Sequence, residues 1–218
     1  MRIRTLPLLL SLLVAAVVVD RADAQETNPA HAHLGHVMEA FGDTPEGQGL
    51  LPTALAEARI AADHAGYALA DPSDLEGMQR HVVHVIHALD PSRVDAGPGL
   101  GYGAKRATEA VVVHVEMAAE AEEASDNVRN HGMHVATAAG NAAERAERAV
   151  TLAEQVRDAG TADEAARILA ELHELTQQII SGEDADGSGQ VGWREGGLEQ
   201  AEQHMGFLLD GEGIHFHP

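Results

Sequence analysis

The chain has 218 residues, no cysteine, 14 histidines, and 35 acidic against 14 basic side chains, giving a net charge of −21 with histidine neutral. Such a surface repels phosphate backbones and anionic lipid, which argues against nucleic-acid binding and peripheral membrane attachment. Without cysteine, disulfides, thiolate zinc sites, iron–sulfur clusters and covalently attached haem are excluded, and a transition metal must be held by histidine, carboxylate or methionine.

The first element is a targeting segment. Arg2 and Arg4 precede an apolar run from Leu6 to Val19, and Ala22-Asp23-Ala24 ends it in a small-x-small pattern. That is the layout of a secretory signal peptide, residues 1–24, cleaved before Gln25. The run is shorter than the roughly 20 residues a bilayer span needs, and no later stretch is longer, so no membrane insertion is expected after cleavage. A secreted or periplasmic location follows. Losing three arginines and two aspartates leaves the mature chain at −22.

From residue 25 onward the sequence is rich in alanine, with apolar residues three and four apart and almost no alternating pattern. The fold class is all-α, with helices over 31–41, 51–70, 73–89, 103–123, 126–158, 162–180 and 195–209. Pro52 suits a first helical turn, and Ser73 to Glu76 and Thr161 to Glu164 both read as capping boxes. In the fourth of these motifs of punctuation, Gly140-Asn141, a break in the long fifth helix is expected because both residues weaken a helix interior. The glycine-rich stretch from Asp90 to Gly103 lacks a preceding strand and a following Gly-Lys-Ser/Thr, so it reads as a linker with helix caps rather than a phosphate cradle. Short connections predict an up-and-down bundle of helical hairpins, residues 25–182.

Histidines recur on these helices. "HLGHVMEAF" carries His33 and His36, "HVVHVIHAL" carries His81 and His84, and "HGMHVATAA" carries His131 and His134, each pair three residues apart and followed by valine. "AEQHMGFLL" keeps only His204. His64, His114 and His173 stand singly among apolar neighbours. Laid over residues 111–140, residues 61–90 share six identities, three of them histidines: 64/114, 81/131 and 84/134. A repeated hairpin is therefore expected to join His64 to His81 and His84, and His114 to His131 and His134. Such clusters suit zinc, copper or nickel, for which neutral imidazole is a good ligand. Met78, Met117, Met133 and Met205 lie close in sequence and would favour copper(I), although methionine is also a common core filler. His87 reads as a surface residue, and the "HAH" and "HFH" pairs at His31–His33 and His215–His217 as flexible ends, with residues 211–218 a tail.

Two other readings of the histidines stay open. They could bind b-type haem through two axial imidazoles, or they could pack and sense pH within a structural or interaction module that calcium makes rigid.

Calcium enters through "DADGSGQVGWRE", Asp184 to Glu195. This segment resembles the calcium loop of the EF-hand family, with Asp184, Asp186, Ser188, Gly189, Gln190, Val191 and Glu195 at loop positions 1, 3, 5, 6, 7, 8 and 12. The resemblance implies a calcium loop with its exiting helix over 183–210, entered from the helix over 162–180, and a ligand set of Asp184, Asp186, the Ser188 hydroxyl, the Gln190 carbonyl, a water at Gly192 and both oxygens of Glu195. It covers about 30 residues with the flanks, and no second loop pairs with it. Metal ions are thus the expected partners, and nothing specifies a protein partner. Because no Ser–His–acid, Cys–His or His-Glu-x-x-His arrangement stands out, storage, buffering or sensing is expected rather than catalysis.

Overall fold

The computed structural model describes residues 28–215. Residues 1–24, where a signal peptide is expected, and His217 lie outside the described residues. Among those described there are seven α-helices and no strand: α1 (Pro29–Met38), α2 (Leu50–Leu69), α3 (Leu75–Leu89), α4 (Ala104–Glu120), α5 (Asp126–Asp158), α6 (Ala162–Ser181) and α7 (Leu198–Glu212). None of these helices is long and apolar enough to cross a membrane.

The helices form a bundle around α5. Its 33 residues make a rod about 50 Å long. One face presents Val135, Ala138, Ala139, Ala142, Ala146, Ala149, Val150, Ala153 and Val156, all buried. Small side chains at three- and four-residue spacing let neighbours approach closely, and α3, α4, α6 and α7 all pack on it. The expected break at Gly140-Asn141 is absent: α5 runs through it. The helix is held on both sides, since Ala139 and Ala142 are buried in the core and the Asn141 amide donates to the Arg194 carbonyl at 2.9 Å.

Consecutive helices do not always pair. The hairpins α2/α3, α4/α5 and α5/α6 pack as expected, but α1 lies mainly on α4 and α7 mainly on α5. Helix ends follow local chemistry. Asn28, Asp74, Ser125 and Thr161 each accept a hydrogen bond from a backbone N–H of the first turn they precede. At α3 the cap is Asp74, not Ser73; the Ser73 hydroxyl donates to Asp71 instead. At α6, Thr161 caps as expected, while Glu164 takes the N–H of Gly160 rather than that of Thr161.

The 90–103 connection is fastened from inside. Glu57, fully buried on α2, accepts the N–H groups of Tyr102 and Gly103, both at 3.0 Å. His87 is half-buried rather than on the surface, and its Nδ1 donates to the Pro98 carbonyl at 2.9 Å. The chain ends are also less free than expected. His31 lies in α1 and reaches the Glu212 carboxylate at 3.1 Å, and Glu212 also accepts from Ser125 and Asn127. Those contacts carry α7 through Glu212, past the expected end at 209 and into the expected tail.

Candidate metal centre

Nine histidines gather into three groups of three: His33, His36 and His114; His64, His81 and His84; His131, His134 and His204. Each group takes two histidines three residues apart on one helix and a third from another. An α-helix sets side chains at i and i+3 on one face, so the local spacing delivers the pair and helix packing delivers the third.

The geometry repeats. In each group the single histidine is a hub whose Nδ1 faces both members of the pair. His114 stands 3.0 Å from His33 and 3.4 Å from His36; His64 stands 3.1 Å from His81 and 3.3 Å from His84; His204 stands 3.2 Å from His131 and 3.3 Å from His134. Hydrogen bonding cannot satisfy such a hub. A neutral imidazole nitrogen offers either one N–H or one lone pair, so it serves one neighbour and leaves the other facing it unsatisfied. A cation placed between them uses all three lone pairs. Nitrogens 2.0–2.1 Å from a tetrahedral zinc ion would stand about 3.3 Å apart, within the range observed here.

Electrostatics point the same way. Burial pushes the imidazoles of His33, His64, His84, His114, His134 and His204 below the ordinary histidine value. Neighbouring imidazoles add to this: His36 acts on His33, His84 and His81 on His64, and His134 and His131 on His204. These groups are therefore neutral at neutral pH, the form that binds metal. The same distances disfavour haem. Two nitrogens trans across one metal ion stand about 4 Å apart with the macrocycle between them, and none of the six hub contacts is so placed.

The expected group of His114, His131 and His134 does not form, and its members join His33, His36 and His204, for which no partner was expected. The α2/α3 group forms as expected, but His114 meets His33 and His36 of α1, and His131 and His134 meet His204 of α7. One difference between the two hairpins lies at position 132, where Gly replaces the valine found at 82 in the repeat. A Cβ on Gly132 would lie 3.3 Å from a methyl of buried Val115. Val115 is buried at this contact, while the adjacent His114 meets His33 and His36 of α1. A signal for the His204 pairing was present: "AADHAGYAL" and "AEQHMGFLL" share alanine, histidine, glycine, an aromatic and leucine at matching places. His204 thus belongs to the single-histidine type of His64.

Aromatic rings line each group. Phe41 stands edge-on to His36 and His114, Tyr67 edge-on to His64, and Phe207 edge-on to His204. Trp193 stacks on His134. The methionines divide differently: Met78 and Met205 are core residues, while Met117 and Met133 are exposed. His173 is half-buried against Gly66, its Nδ1 lacks a hydrogen-bond partner, and it joins none of the three groups.

A fourth group is acidic. Carboxylate oxygens of Asp184, Asp186 and Glu195 lie within 4.8 Å of one another. Backbone N–H groups fix them: Ser188 and Gly189 donate to Asp184, Ser188 to Asp186, and Ala185, Asp186 and Gly192 to Glu195. The N–H of Ser188 and then its hydroxyl hold the Asp186 carboxyl below the ordinary value. Gly189 has φ +86°, which suits glycine at this turn. The Ser188 hydroxyl donates to the Gln190 carbonyl at 3.0 Å, so two of the expected ligand atoms lie together. The following helix starts at Leu198 rather than Glu195. The carbonyls of Glu195 and Gly196 accept from Arg145 of α5, which takes both out of a helical ladder.

Compared with models of known families, with curated proteins and with solved structures, the chain matches none. The reading of function therefore rests on the donor sets themselves.

Proposed function

We propose that this chain is an exported metal-binding bundle. It holds a transition metal of the zinc, copper or nickel class in each histidine triad and calcium in the Asp184–Glu195 loop, and it serves storage, buffering or sensing. The observation that carries the reading is the threefold recurrence of three imidazole nitrogens converging at 3.0–3.4 Å.

Each triad supplies three protein ligands and leaves further positions to water or an incoming ligand. Sites left open in this way exchange their metal more readily than closed four-ligand sites, which suits reversible loading. Support for calcium comes from the EF-hand-like spacing and the shared approach of three carboxylates. An unpaired loop is expected to bind in the range of about 10⁻⁴–10⁻³ M, adequate outside the cell. Export is supported by the charged, apolar and small-residue layout of residues 1–24.

The test is elemental analysis of the mature protein purified untagged from an exported fraction without chelator. About three equivalents of zinc, copper or nickel are expected. Calcium alone would overturn the triad assignment and leave a calcium-rigidified helical module; iron with an intense Soret band would overturn it in favour of haem.

A further inference from the structure

The chain has one tryptophan, and it lies against one triad. The Trp193 indole and the His134 imidazole have centroids 4.2 Å apart and planes 22° from parallel. The Arg194 guanidinium sits 4.8 Å over the same indole. The connection that carries Trp193 is tied to α5, the helix of His131 and His134. Asn141 donates to the carbonyl of Arg194, and Arg145 to those of Glu195 and Gly196, at 2.9, 3.0 and 2.7 Å. The phenylalanine and tyrosine rings at the other two triads meet their imidazoles edge-on or tilted.

We infer that Trp193 is a positioning residue for the third triad, holding the His134 ring aimed at its hub and making this site distinct from the other two. The inference rests on the triads binding metal. The physical argument is direct. A ring clamped by a stacked neighbour and a tethered backbone loses little rotational freedom on binding, whereas a free imidazole must be ordered. A metal ion also withdraws electron density from its imidazole ligand, so the contact with the electron-rich indole strengthens once the ion is bound. By reciprocity, metal in the third triad stabilises the 182–197 connection as much as that connection stabilises the metal.

Cobalt(II) titration of the mature full-length protein tests this, with equilibrium dialysis counting bound ions and the single tryptophan reporting by fluorescence. Three equivalents are expected, with the quenching complete after one site fills, abolished in His134→Ala and retained in His64→Ala. Trp193→Ala should weaken one of the three sites about 10-fold and leave the other two unchanged at constant helix content, and Trp193→Phe should restore most of the loss. Equal cobalt affinities at all three sites in wild type and Trp193→Ala would overturn the inference. Quenching that disappears in His64→Ala but survives His134→Ala would do the same. Failure of the wild type to bind cobalt at all would instead refute the metal reading on which it stands, and the stoichiometry separates that result from the others.

Discussion

The histidine triads and the acidic loop gather their donors in opposite ways. His33 and His114 are 81 residues apart and belong to different helices, so packing of the bundle holds them together. Asp184, Asp186 and Glu195 fall within 12 residues, and the loop's own backbone N–H groups orient them. The triads are half-buried, while the aspartates are exposed. A site built by tertiary packing inherits the rigidity of the fold; a site built by a local turn inherits only the turn. The contrast predicts strong dependence of the triads on partner helices and on proton competition, and weaker, independent behaviour of the loop.

The largest effect should come from removing a hub. His114→Ala leaves His33 and His36 with two nitrogens, and bound transition metal should fall by one equivalent, with affinity at that site reduced at least 100-fold. Dialysis against a competing chelator followed by elemental analysis measures it; retention of the full count would break the claim that the three groups are separate sites.

Acid should act on all three triads together. Burial holds the imidazoles of His33, His64, His84, His114, His134 and His204, two from each triad, below the ordinary histidine value in the folded chain, so the unfolded state takes up more protons as pH falls through about 6.5. The metal-free protein therefore has this contribution in full above that pH and loses it progressively below. Bound metal should leave over the same interval, because protons compete for the same lone pairs. Thermal melts from pH 7.5 down to 5, with and without zinc, should show a falling midpoint in both and a zinc-dependent gap that closes. A gap that persists at pH 5 would place the metal elsewhere.

Glu195→Gln sharpens the comparison from the other side. Calcium affinity, read by titration calorimetry, should drop about 10-fold or more, while the transition-metal count stays at three. If the loop and the third triad are linked through Trp193, the change should also appear as a shift of tryptophan emission. The smallest effect is expected from His87→Ala, which removes one hydrogen bond to the Pro98 carbonyl and touches no triad. It should lower stability by about 1 kcal/mol in a urea melt and change no metal stoichiometry.

Much of this was legible in the sequence, for physical reasons. Helical spacing puts Leu75, Met78, Val82, Val85, Ile86 and Leu89 on one apolar arc of α3; the last five are buried and Leu75 is half-buried against the core. The i, i+3 histidine pairs were readable because helical geometry is local. All nine triad histidines could be named in advance, yet only the α2/α3 group had the right membership. The pairing of α1 with α4, and of α7 with α5, depends on long-range packing that spacing does not encode. At Gly132 the α4/α5 contact is close, since a Cβ there would lie 3.3 Å from a methyl of Val115. The continuity of α5 through Gly140 was hidden likewise, because burial and the Asn141 contact override a weak helix propensity.

By itself the sequence determined the helical class, the acidic charge, the identity of the imidazole donors and the order of carboxylates in the loop, since each of these depends on residue type and short-range spacing. Only the tertiary structure decided which donors share a site and that a tryptophan from the acidic loop lies on one of them. Those relations depend on the rotation of each helix about its axis and on contacts between residues some 50 to 80 positions apart, where packing of the whole core outweighs any local preference.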